Sequence, residues 1–204
     1  MPQGLTIQTR ELIAMISCFK GKFRVTSPRG NRTLNGKQDY HGGIDLVALD
    51  ADKSVYAIAD GKIDATPYEE NGFGYYVRQL LPDGRRIYYG HLAKGSTVVK
   101  AGQNIKAGDK LGTMGSTGFS TGAHTHIELR VQGSSKTSLD ISAFTGIPNK
   151  VGIYEYIPEP SDKETEEMAN YIQKKTGFEA YTMNFFKGHK YYKELIRKMW
   201  KAMQ

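Results

Sequence analysis

Four of the five histidines in the chain fall in three short motifs, one of which also carries an aspartate. His41 and Asp45 stand four residues apart around Gly42-Gly43, His91 follows Tyr88-Tyr89-Gly90, and His124 and His126 flank Thr125 ahead of Ile127-Glu128-Leu129-Arg130. Two imidazoles and a carboxylate are a donor set that zinc takes in catalytic centres, where the fourth position is left to water. Water held there ionises near neutral pH, and the cation polarises a carbonyl. Histidines beyond the ligand set then have the proton and the oxyanion to manage. The residue types thus point to metal-assisted hydrolysis. Spacing alone leaves open which of His124 and His126 is the ligand.

These side chains need elements that aim them together. In a strand, successive residues face opposite ways, so His124, His126 and Glu128 share one face while Ile127, Leu129 and Val131 share the other. The two histidine Cα atoms would be about 6.5 Å apart. The same count puts Ile87, Tyr89 and His91 on one face, with His91 free to lean into a groove at the strand end after Gly90. Four extended residues from His41 to Asp45 would span about 13 Å, too far for both to reach one ion. Gly42-Gly43 argues against a helix there and predicts a tight bend into a strand at Ile44.

From Ile44 to Val131 the pattern is that of antiparallel β structure. Ile44–Val47 and Ser54–Ala59 alternate, Asp60-Gly61 turns into Lys62–Ala65, and Gly74–Leu80 and Arg85–Gly90 flank Pro82-Asp83-Gly84 as a hairpin. Gly102 and Gly108 mark surface turns, and Gly112, Gly115, Gly118 and Gly122 make a loop of small residues before the histidine strand. The fold class is therefore mainly β: an antiparallel sheet core with an open groove. Upstream, Leu12, Met15, Ile16 and Phe19 predict a short amphipathic helix over about residues 9–19. Arg29 and Arg32 sit in a turn at Pro28 and Gly30 that could line a substrate groove.

Downstream of Ile147-Pro148 the grammar changes. Pro158-Glu159-Pro160 reads as a linker, and Ser161 with Glu164 as a capping box opening a helix through about Lys175, closed by Gly177. Residues 189–203 predict a second helix with an apolar stripe, Tyr192, Leu195, Ile196, Met199, Trp200 and Met203, beside basic residues. His189 lies outside the metal pattern and reads as an exposed loop residue. The expected organisation is an N-terminal helical extension over 1–21, a β domain over 22–148, and a helical appendage over 149–204 that packs or docks on another protein.

Composition narrows the classes. With 204 residues the chain is long enough for a good core, and its single cysteine, Cys18, excludes an intrachain disulfide or a cysteine-rich metal site. The net charge of +7 suits an acidic polymer or surface. Most of it belongs to residues 1–150, with 19 Lys and Arg against 13 Asp and Glu. No basic stripe with a stacking signature accompanies it, so nucleic acid is not the expected partner. No stretch is apolar enough for a transmembrane helix, and Arg10 and Glu11 interrupt any signal-peptide core.

Taken in order, Ser27-Pro28-x-Gly30-x-Arg32, His41-x-x-x-Asp45, Ala59-Asp60-Gly61, Tyr89-Gly90-His91-Leu92, and Gly115-x-Thr117-Gly118 running to His124-x-His126-Ile127-Glu128 resemble the M23 family of zinc peptidases, the lysostaphin-like and LytM-like cell-wall endopeptidases. The resemblance covers about residues 22–145. It implies that His41, Asp45 and His126 hold one Zn²⁺ and that His91 and His124 are the catalytic pair. It further implies a narrow groove over an antiparallel sheet, with Arg32, Tyr40, Asn71, Phe73 and Tyr75 as candidate groove residues, and peptidoglycan peptides as substrate. Asp50–Ser54 departs from the family's usual glycine-containing turn. About 20 residues precede Phe23, which reads as no inhibitory propeptide. Without a signal peptide, an enzyme acting on the wall from outside the cytoplasm would need a phage tail or a holin-type route. The alternative is a non-hydrolytic wall-binding or virion assembly protein using the same domain.

Overall fold

The computed structural model describes residues 15–34, 36–131, 137–158, 162–187 and 192–204. Its strands are β1 (Gly21–Ser27), β2 (Gly30–Leu34), β3 (Lys37–His41), β4 (Ile44–Ala48), β5 (Ser54–Tyr56), β6 (Gly61–Ala65) and β7 (Tyr68–Glu69). They continue with β8 (Gly74–Leu80), β9 (Arg86–Leu92), β10 (Asn104–Ile105), β11 (Lys110–Thr113), β12 (Thr125–Arg130), β13 (Ser138–Leu139) and β14 (Gly152–Tyr156). The helices are α1 (Ile141–Thr145), α2 (Asp162–Thr176), α3 (Ala180–Lys187) and α4 (Tyr192–Ala202). The chain divides into two units, one ending at Tyr156 and the other beginning at Ile157.

The first unit is built on one antiparallel sheet in the order β10-β6-β8-β9-β12-β4-β1-β14, with β7 beside β8 and β13 beside β12. Alternation divides its two faces. Phe23 and Val25, Ile44 and Leu46, Ile87 and Tyr89, and Ile127 and Leu129 are buried on one side with Cys18, Phe19, Val55, Ile58 and Leu111. Between them, Arg86, Tyr88, Gly90, His126, Glu128 and Arg130 take the opposite face, as the two-residue period requires. Tyr89 sits in the apolar layer because its hydroxyl is fully partnered. It donates to Gln79 Oε1 (2.7 Å) and accepts from the Ile58 amide (3.0 Å).

Several expectations change. The helix expected over residues 9–19 is not helical over its described part, residues 15–19. There the Ile16 amide donates to Thr145 O and Cys18 O accepts from the Tyr56 amide, both at 2.8 Å, so tertiary partners take the groups a helix would use. Met15, Ile16, Cys18 and Phe19 all join the main core; residues 9–14 lie outside the described residues. The domain boundary falls after Tyr156 rather than at 148, because β14 pairs with β1 from Gly21↔Tyr156 to Val25↔Gly152. Ser54–Ala59 forms a strand only through Tyr56.

Among its described residues, the second unit has three helices where the sequence suggested two. Ala169, Ile172, Met183 and Ile196 form its core, with Phe178, Phe186, Met199 and Trp200 packed around them. Helix α3 is only eight residues long, too short for its periodicity to stand out. Gly177 ends α2 in the left-handed conformation (φ 71°), as its place in the sequence predicts. Ser161 and His189 lie outside the described residues. No helix among the described residues is long and apolar enough to cross a membrane.

Candidate metal centre

β3, β4 and β12 bring the donors together. The register sets His126 opposite Asp45 across the β12–β4 pair. His41 is the last residue of β3 and reaches the same point because the chain bends through Gly42-Gly43. Neither of these glycines has a positive φ; both are needed for close approach. A Cβ on Gly43 would collide with the Ile127 carbonyl oxygen and stand 2.7 Å from His126 Nε2, and one on Gly42 would stand 2.7 Å from Glu128 Oε1.

His41 Nε2, Asp45 Oδ1 and His126 Nδ1 form a triangle with sides of 3.1, 2.9 and 3.0 Å. A tetrahedral ion with ligands at about 2.0 Å has neighbouring donors about 3.3 Å apart, so this triangle fits one face of a zinc site. The outward atoms of both rings are also fixed. His41 Nδ1 donates to Pro28 O (2.9 Å), which leaves the Nε2 lone pair to the triangle. His126 Nε2 donates to Glu128 Oε2 (3.1 Å), leaving Nδ1. Such outer partners set the tautomer and raise ligand basicity.

The charge balance follows from burial. In the metal-free protein, burial would raise the Asp45 carboxyl, but its contacts with His126 and His41 hold it well below the usual carboxylate range. Burial likewise favours neutral His126, yet in the metal-free protein its contacts with Asp45 and Glu128 push it up to about 9, so an ion held in the triangle would replace the proton at Nδ1 while Nε2–H stays on Glu128. Glu128, desolvated but paired with His126 and Arg130, is held down at about 2.

Two further histidines face the triangle. The His91 and His124 rings lie 4.5 Å apart, and His124 Nε2 is 3.7 Å from Asp45 Oδ1. Each donates Nδ1–H to a backbone carbonyl at 2.8 Å, His91 to Thr117 and His124 to Gly122. In both rings Nε2 is therefore the proton-accepting nitrogen. Burial pulls His91 down to about 4, so it is neutral at physiological pH. Strict alternation would turn His91 into the core with Ile87 and Tyr89. The backbone breaks that pattern: His91 has φ 59°, the only positive value for a non-glycine among the described residues. That conformation costs roughly 1–2 kcal/mol, and the His91 amide's bond to Phe73 O (2.7 Å) helps to hold it.

The five groups lie along a groove of about 400 Å³ whose lining also includes Arg32, Tyr40, Asn71 and Phe73. Arg32 is tied to Asp39 (2.8 Å) and to Ser27 Oγ (3.0 Å). Tyr75, the fifth residue expected in the groove, is not in its lining; its ring lies 4.6 Å from Tyr68 and packs against the core. Glu69, Phe119, Glu128 and Arg130 also line the groove, and the sequence reading gave none of them a role. For Glu128 and Arg130 the signal was present, since both lie on the His126 face by alternation. For Thr117 there was none, because a backbone carbonyl has no sequence signature.

Comparison with known proteins agrees with this geometry. Residues 39–138, which include all five groups, match Peptidase family M23. The catalytic domain of the antimicrobial peptidase lysostaphin from Staphylococcus simulans is 32% identical, with 61% of this chain and 91% of that domain covered and a TM-score of 0.51. The chain belongs to peptidase family M23. Among longer relatives, the glycyl-glycine endopeptidase ALE-1 of Staphylococcus capitis is 38% identical over 96 residues, 47% of this chain and 25% of that protein. The peptidoglycan DD-endopeptidase ShyC of Vibrio cholerae is 33% identical over 111 residues, 54% of this chain and 24% of that protein. This chain thus spans about a quarter of the length of those relatives.

Proposed function

We propose that this M23 chain is a zinc-dependent endopeptidase that hydrolyses peptide bonds in bacterial peptidoglycan. The observation that carries the reading is the convergence of His41 Nε2, Asp45 Oδ1 and His126 Nδ1 within 3.1 Å of one another. Two more imidazoles line the same groove beside them. On this reading His41, Asp45 and His126 hold the ion. When bound, zinc supplies a Lewis acid and lowers the pKa of coordinated water.

The remaining steps belong to the chain's own groups. His91 and His124, with Nδ1–H committed to Thr117 O and Gly122 O, present Nε2 to accept a proton from the nucleophile and return it to the departing amine. Once protonated, either Nε2–H also donates to the developing oxyanion. On this reading the groove, whose lining includes Tyr40 and Phe119, takes an extended peptide across these groups. The sacculus is the proposed substrate because the relatives' names specify a glycyl-glycine bond in one case and a peptidoglycan DD bond in the other. The intact set of five groups speaks against a purely wall-binding or assembly role.

The test is to incubate the purified protein with sacculi that carry glycine bridges and with sacculi that carry direct cross-links, with zinc and after chelation, and to weigh the soluble fragments. Zinc-dependent release of peptides with a new amine terminus is expected, and that terminus identifies the bond. No release from either wall by zinc-loaded protein would refute the reading.

A further inference from the structure

The outer side of His126 carries a second device, beyond the five groups that converge on the groove. Glu128, itself 5% exposed, accepts from His126 Nε2 through Oε2. Arg130 grips the same carboxylate, with Nε 2.8 Å from Oε1 and Nη2 3.2 Å from Oε2. The guanidinium is in turn held over the Tyr88 and Phe73 rings, 4.6 and 5.1 Å from their centroids. Gly42 leaves room for the carboxylate, since a Cβ there would stand 2.7 Å from Oε1.

We propose that Glu128, oriented by Arg130, is a positioning residue that selects the His126 tautomer able to bind metal through Nδ1. The proposal rests on the zinc reading above. An ionised carboxylate only accepts hydrogen bonds, so it requires the proton on Nε2 and leaves the lone pair on Nδ1, where Asp45 and His41 converge. Arg130, which only donates, keeps the carboxylate in that orientation.

The arrangement makes an unusual prediction for Glu128→Gln. Arg130 donates to both positions, and its shorter contact, 2.8 Å to Oε1 against 3.2 Å to Oε2, is the one that holds the amide oxygen. The amide NH₂ then faces His126 Nε2 and donates to it, which stabilises the tautomer protonated on Nδ1. The substitution is isosteric, yet it works against metal binding. Removing Arg130 as well frees the amide to turn its oxygen to Nε2–H.

The experiment measures the zinc dissociation constant of the whole chain by competition with a chromophoric chelator, for wild type, Glu128→Gln and Glu128→Gln/Arg130→Met. Thermal unfolding of each metal-free form is followed in parallel. Glu128→Gln is expected to bind zinc about 10–100-fold more weakly, and the double variant to bind more tightly than Glu128→Gln. A merely structural role predicts the reverse order, because losing Arg130 as well removes its packing on Tyr88 and Phe73. The proposal is overturned if Glu128→Gln binds within about twofold of wild type, or if the double variant binds no more tightly than Glu128→Gln. Wild-type protein that binds no zinc would instead overturn the reading on which the proposal rests.

Discussion

Gly43→Ala isolates the contact that closes the candidate metal centre. The new methyl would lie 2.7 Å from His126 Nε2 and against the Ile127 backbone oxygen. An ordinary contact needs about 3.5 Å, so the ring must retreat by roughly 0.8 Å, or β4 and β12 must part where His126 pairs with Asp45. Overpacking of this kind costs about 1–3 kcal/mol. A shift of that size is large beside donor separations of 2.9–3.1 Å, so zinc affinity should fall by at least tenfold, about 1.4 kcal/mol. Gly122→Ala is the control, because a Cβ at Gly122 meets nothing within 4 Å. Urea unfolding of the metal-free forms and chelator competition for zinc would read both effects. If Gly43→Ala matches Gly122→Ala in midpoint and affinity, the close-approach argument is wrong.

Replacing His91 or His124 by Ala should abolish peptide release from sacculi while zinc content stays near one per chain by atomic absorption; loss of the metal would show that these residues are ligands instead. In the metal-free protein, the unfolded chain protonates His91 near its ordinary 6.5 but the folded chain only near 4, so the unfolded state binds more protons in that window. This part of the stability is therefore present above pH 6.5 and lost as pH falls toward 4, and a His91→Gln variant should show a correspondingly shallower decline in urea midpoint over the same range. Burial pushes the Cys18 thiol far above its usual range, so it should resist a disulfide reagent in the native state and react fully in denaturant; rapid native labelling would contradict its place in the core. Tyr89→Phe strands the Ile58 amide and the Gln79 carbonyl and should cost about 1–3 kcal/mol in chemical unfolding.

The sequence by itself determined what is local. Period-two alternation gave the core face of β12 and β4, glycine punctuation gave the turns, and the ordered histidine motifs gave the family and the five groups that meet. Choosing between His124 and His126 needed the resemblance at that stage, because both lie on one face. In the tertiary structure the two differ in placement: His126 pairs with Asp45, while His124 precedes the strand and donates to Gly122. Residue spacing also failed at His91, where a left-handed backbone overrides alternation and is held by groups more than ten residues away in sequence. The reach of residues 152–156 into the main sheet, the loss of helix over residues 15–19, and the Glu128–Arg130 grip share that cause. Each is settled by which distant strand or ring lies opposite, and pairing across a sheet is a non-local choice that no window of sequence contains.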